Sequence, residues 1–201
     1  MKTKFLKLSL LALVLFTASC SSDDDNNNDD NTIPAVETKK VSNLDATTAE
    51  FTKFSFSENK VVTNDNWDVA FSTTTILVNG GVKMTEAEPN RTGSGAASIV
   101  SGTFASVTLY PAASAFVQDA ATVYAIPKGS GKGWYNYDVN THIVSPVAGK
   151  VFVVKTHDGK YAKFEVLSYY KNAPATPDSA TDLSGFYTFN FAYQANSTTT
   201  F

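Results

Sequence analysis

The stretch Val151 to Asn172, VFVVKTHDGKYAKFEVLSYYKN, constrains the fold more than any other part of this chain. Four apolar residues, Val151 to Val154, precede Asp158-Gly159, a pair that readily takes positive φ, and an extended pattern resumes from Lys160 to Tyr170. The segment reads as a β-hairpin, with a two-residue type I′ turn at Asp158-Gly159. In the returning strand Ala162, Phe164 and Val166 share one face, while Tyr161, Lys163 and Glu165 share the other. That period of two predicts a core on one side and water on the other.

The same alternation recurs along the chain. Phe54 and Phe56 alternate with polar residues, Trp67, Val69 and Phe71 do so again, and Tyr187, Phe189, Phe191 and Tyr193 form an aromatic ladder suited to closing a sheet. Trp67 is read as core and Asp68 as facing the other way. Ser98 to Leu109 reads as a strand interrupted at Gly102, and the alanines of 112–124 permit one short helix. Asn79-Gly80-Gly81 opens a long polar loop reaching Ala97, whose glycines would let backbone come close to a ligand or another chain. Short strands, frequent turn residues and no long helical period predict an all-β domain over 36–195, an antiparallel curved sheet or sandwich. Residues 196–201 are expected to fray.

The first 19 residues place Lys2, Lys4 and Lys7 before the apolar run Leu8 to Phe16, the layout of a secretory signal peptide. Cys20 is the only cysteine, so it has no internal disulfide partner. Thr17-Ala18-Ser19-Cys20 resembles a bacterial lipobox, with Thr17 where leucine is usual, and predicts lipidation of Cys20. SSDDDNNNDDN follows, so 20–35 is expected to be a disordered acidic tether. An acidic run beside a lipidated cysteine resembles a signal for export to the outer face of the outer membrane. The formal charge of −3 becomes about −6 without the three leader lysines, and the remaining Lys and Arg form no stripe, which argues against a nucleic-acid partner.

Patterns that carry chemistry are few. HExxH, GxSxG and CxxC do not occur, and PKGSGKG at 127–133 is no phosphate loop, because Trp134-Tyr135-Asn136-Tyr137 after it reads as a strand rather than a helix. Glu86 with Glu88, or Asp65 with Asp68, could be paired on paper for glycoside hydrolysis, but acidic residues on loops and outward faces are expected to be solvated. No enzyme is expected.

The hairpin motif TxDGKYAK with its aromatic pair, together with Asn66–Phe71 (NWDVAF), Asn79-Gly80-Gly81 ahead of Gly93-Ser94-Gly95-Ala96, and Gly133-Trp134-Tyr135, resembles the HmuY-like lipoproteins of Gram-negative bacteria, from about Phe51 to Tyr193. The resemblance implies a nearly all-β fold with long loops over a cleft. It also implies haem capture for iron acquisition at the cell surface, with haem or a haem protein and an outer-membrane receptor as partners. The alternative is a surface interaction module on the same scaffold that binds no haem.

Haem-binding members use pairs of His or Met on cleft loops, and haem iron generally takes His, Met, Cys or Tyr. His142 falls roughly where such members carry one ligand, but Thr103 to Tyr124, the segment expected to bring the other, has neither His nor Met. His142 is therefore the first candidate ligand, with Met84 or His157 as the second. If 134–144 runs antiparallel to the hairpin strand, His142 lies opposite Phe152, about 16 Å along the sheet from His157. Each ligand nitrogen must come within about 2 Å of one iron, so those two histidines make a poor pair.

Overall fold

Two antiparallel sheets pack face to face, and their inner faces carry most of the apolar residues that alternate in the sequence. The computed structural model describes residues 36–196 and 198–201. The leader, Cys20 and the tether lie outside the described residues. The strands are β1 (Thr38–Asp45), β2 (Thr52–Ser55), β3 (Lys60–Val62), β4 (Val69–Ser72), β5 (Thr75–Val78), β6 (Ala96–Ser101), β7 (Tyr135–Tyr137), β8 (Val144–Pro146), β9 (Lys150–Lys155), β10 (Tyr161–Tyr170) and β11 (Ser184–Gln194). The larger sheet has the order β1-β11-β10-β9-β6, the smaller β3-β2-β4-β5, and β7 pairs only with β8.

Between the sheets, Phe54, Phe56 and Phe71 of the smaller meet Phe164, Phe189 and Phe191 of the larger. Ring centroids lie 5.4 Å apart for Phe54–Phe189 and 5.9 Å for Phe56–Phe164. The ladder on β11 closes the sandwich, since Tyr187, Phe189 and Phe191 are all fully buried. Each such ring contributes roughly 1.5–3 kcal/mol through burial alone.

The hairpin forms with a different turn. Gly159 N–H donates to Thr156 O (3.0 Å), Thr156 N–H donates to Lys160 O (2.8 Å), and only Gly159 has positive φ, +80°. The loop is therefore three residues, 157–159, a type I turn followed by a left-handed glycine, in place of type I′. Asp158 is held on the ordinary side of φ, and its carboxylate accepts from Thr156 Oγ1 at 2.6 Å.

The outer face of the larger sheet does not meet water where expected. Val151 and Val153 pack beneath Val107, with Phe104, Phe116 and Phe201 alongside. Lys163 is only 6% exposed, its amine donating to Phe104 O and Val107 O and lying 4.5 Å from the Phe104 ring centre. The run VFVV is continuous because β9 is buried on both faces. What covers it is the segment after β6, which ends at Ser101 instead of continuing to Leu109. Two single turns of 3-10 helix follow, Phe104–Ser106 and Ala113–Ala115, and no α-helix occurs among the described residues. The C-terminus is not frayed: Phe201 N–H donates to Thr108 O and Tyr110 N–H to Thr199 O, so the end of the chain docks on this covering segment.

Trp67 is core, as expected, but not with Val69 and Phe71. It precedes β4 and packs on the other face of the smaller sheet with Val62, Ala70 and Leu77.

Candidate functional site

The candidate ligands His142, His157 and Met84 are distributed between the two ends of β10. At the Tyr170 end, β7 and β8 form a short ribbon with the register Tyr137↔Val144, and His142 lies in the turn between them. β7 does not pair with β9, so His142 is not opposite Phe152. Asp138 builds the turn: Oδ1 accepts from Asn140 N–H (2.8 Å) and Thr141 N–H (3.2 Å), while Asp138 N–H donates to Ile143 O (2.9 Å). These backbone donors, Asn140 foremost, hold the Asp138 carboxyl below the usual carboxylate range. Ser179 Oγ, from the loop after β10, donates to Thr141 O (2.7 Å), and Val144 N–H donates to the Tyr170 hydroxyl (3.0 Å). His142 is exposed, adopts φ +57°, and its Nδ1 lies 2.6 Å from the Tyr137 hydroxyl. Tyr137 also lines an open cavity of about 510 Å³ with Val139, Asn140 and Ile143, and Val139 is 70% exposed there.

At the Tyr161 end, His157 sits in the β9–β10 turn against the loop that follows β5. Ser94 N–H donates to His157 O, and a Cβ on Gly93 would meet His157 Cβ at 2.6 Å. His157 is bound to Asp68 through its backbone N–H (3.0 Å) and through Nδ1 (2.8 Å), and Asp68 also accepts from Phe56 N–H (2.7 Å). Asp68 does point away from Trp67, but into the protein, where it is fully buried. Burial pushes its carboxyl up against the opposing pull of the His157 and Phe56 hydrogen bonds.

Met84 is half-buried in the same loop, its N–H donating to Glu88 Oε2 (3.2 Å). Glu88, expected to be solvated, is buried instead. Arg91 Nη2 bridges it (2.7 Å) to Asp119 (2.9 Å), and the Tyr124 hydroxyl donates to Glu88 as well (2.7 Å). Burial pushes up the Asp119 carboxyl. At Glu88 the same penalty is outweighed by the Tyr124, Met84 and Arg91 donors, which hold it below the usual range. The glycines of this loop face protein, not a ligand: a Cβ on Gly80 would lie 1.9 Å from Gly95 O. Glu86 and Asp65 are exposed, so neither proposed carboxylate pair shares an environment.

β10 is 10 residues long, which separates the two ends by roughly 30 Å of strand. His142 therefore cannot share one iron with His157, nor with Met84, whose loop is anchored at the His157 end. No signal in the sequence pointed to the Tyr137–His142 bond, because it depends on where the turn closes. Among the described residues no group of three or more His, Cys, Asp or Glu is placed to hold a metal ion.

The family model described as HmuY protein matches residues 47–191. Among solved structures, the fold is similar to that of a protein from Bacteroides vulgatus described as HmuY-like and heme-binding, at 20% identity over 81% of this chain and 95% of that one, with a TM-score of 0.52. It is also similar to the apo HmuY analog of Tannerella forsythia, at 18% identity over 80% of this chain and 96% of that one, again with a TM-score of 0.52. No curated protein matches the sequence. With the family model covering most of the chain and the all-β sandwich in agreement with both structures, this protein belongs to the HmuY family.

Proposed function

We propose that the protein is a surface lipoprotein that binds haem for iron acquisition, anchored in the outer membrane through Cys20 and delivering haem to an outer-membrane receptor. Family membership over 47–191 supports the ligand class. The observation that carries the site is the exposed His142 imidazole, bonded through Nδ1 to a tyrosine that lines an open, partly apolar cavity.

The residues present fit haem held through a single imidazole. Haem proteins with one proximal histidine are common, Nε2 of His142 has no hydrogen-bond partner among the described residues, and the cavity beside it, which Tyr137 lines and His142 does not, offers the apolar side chains Val139 and Ile143 among polar ones. Haem supplies an iron that a neutral imidazole can ligate. The chain's own residues orient that imidazole: Asp138 fixes the turn, Ser179 braces Thr141 beside it, and Tyr137 holds Nδ1.

Haem titration followed in the Soret band tests the reading. The wild type is expected to give a saturable change that His142→Ala abolishes and that His157→Ala and Met84→Ala retain. Absence of any saturable change would put the non-haem interaction module in its place. Mass spectrometry of the mature N-terminus tests the anchor, with a diacylated Cys20 as the expected first residue and an unmodified start elsewhere as the contrary result.

A further inference from the structure

His142 lies within the β7–β8 turn, two positions before Val144, the register partner of Tyr137, and its Nδ1 is 2.6 Å from the Tyr137 hydroxyl. A neutral imidazole carries one N–H donor and one bare acceptor nitrogen, and its hydrogen-bond partners decide which nitrogen is which. Ligation through Nε2 requires that nitrogen bare and the proton on Nδ1. A carbonyl at Tyr137's position could bond only that tautomer, and an amide N–H only the other. A phenol can do both, donating to a bare Nδ1 or accepting from Nδ1–H, at the same 2.6 Å separation.

We propose that Tyr137 is the positioning residue of the His142 site: it keeps the imidazole in one orientation in the free protein and accepts the Nδ1–H bond when Nε2 takes a ligand. This rests on the haem reading above. Two features make the hydroxyl matter. His142 has φ +57°, a backbone conformation that fixes where its side chain leaves the turn, and the ring is exposed, with the Tyr137 ring 6.1 Å away between centroids, a contact that Tyr137→Phe keeps while removing the hydrogen bond. The Tyr137 ring also lines the cavity, which couples the aromatic wall to the donor. Partners of this kind typically change metal affinity by about 10- to 100-fold when removed.

Tyr137→Phe keeps the ring and deletes the oxygen, and two readouts decide. In the haem-free protein, nitrogen-15 NMR of the His142 ring, at a pH where imidazole is neutral, is expected to show altered Nδ1 and Nε2 shifts in Tyr137→Phe. In haem titration the same variant is expected to bind at least about tenfold more weakly than wild type while its far-ultraviolet circular dichroism is unchanged. Unchanged ring shifts, or unchanged affinity in a variant whose shifts do change, would overturn the positioning role. His142→Ala separates this from the broader reading: if it loses binding while Tyr137→Phe behaves as wild type, only the positioning role falls. If His142→Ala binds as tightly as wild type, the His142 site itself is wrong.

Discussion

Asp68 Oδ1 accepts from both the backbone N–H and the Nδ1 of His157, 89 positions away in the chain, at 3.0 and 2.8 Å. This one oxygen ties the smaller sheet to the turn of the β9–β10 hairpin, and the other carboxylate oxygen ties it to Phe56 N–H. Replacing Asp68 by Ala leaves two backbone donors without a partner, that of Phe56 buried and that of His157 partly buried. The expected loss is roughly 3 kcal/mol of unfolding free energy, read from urea denaturation. Because His157 is not the proposed ligand, Asp68→Ala that remains folded should bind haem as wild type does.

Arg91 lies almost wholly buried between Glu88 and Asp119, with its guanidinium 5.7 Å from the Trp67 ring centre. Arg91→Met preserves much of the apolar volume but strands two buried carboxylates, and removing one partner of such a cluster typically costs about 3–5 kcal/mol. The double substitution Arg91→Met, Asp119→Asn should recover part of the loss in the same denaturation series. No recovery would show that the charges do not interact as the geometry implies.

The inner face of the sandwich was legible because period-two alternation at Phe54, Phe56, Phe164, Phe189 and Phe191 maps directly onto burial. The outer face was not. Lys163 reads as a solvent-facing residue by its chemistry, yet two carbonyls and two aromatic rings replace water around its amine, and those partners come from Phe104, Val107 and Phe201, far away in sequence. Asp68 and Glu88 misled in the same way: a carboxylate is assigned to solvent unless its donors are known, and theirs are contributed by His157, Arg91 and Tyr124 across turns whose geometry no local pattern reveals. For the site, sequence singled out His142 but set it opposite Phe152, since the length of β7 and the place where its turn closes are fixed by Asp138 and Ser179 contacts rather than by periodicity.

The glycines of the 79–97 loop, Gly93 and Gly95, were expected to let backbone approach a ligand or another chain; the close approach is instead within the loop, where the carbonyl of Gly95 fills the space beside Gly80. Gly80→Ala should therefore separate the two arms of the 79–97 loop and destabilise the fold by about 1–3 kcal/mol, the usual range for forced overpacking. Hydrogen exchange should show the change first at Gly95 N–H, which donates to Asn79 O at 2.8 Å. The His142 turn, at the other end of β10, should exchange as in wild type.

The Asp138 carboxyl is held below its ordinary value of 3.8, above all by the Asn140 and then the Thr141 backbone N–H. A folded-state pKa that is depressed means the carboxylate's contribution is fully present above 3.8 and is lost as pH falls through the lower folded value. The turn that presents His142 should therefore keep its amide signals for Asn140 and Thr141 through mild acid, and lose their hydrogen-bonded shifts only below the ordinary carboxylate range. Asp138→Asn retains an oxygen acceptor without the charge, so it should abolish that acid transition while leaving the turn largely formed. Asp138→Ala should disorder the turn at all pH values and weaken haem binding through His142. NMR titration of the three proteins checks the sequence of effects, and an acid transition that persists in Asp138→Asn would assign it to some other group.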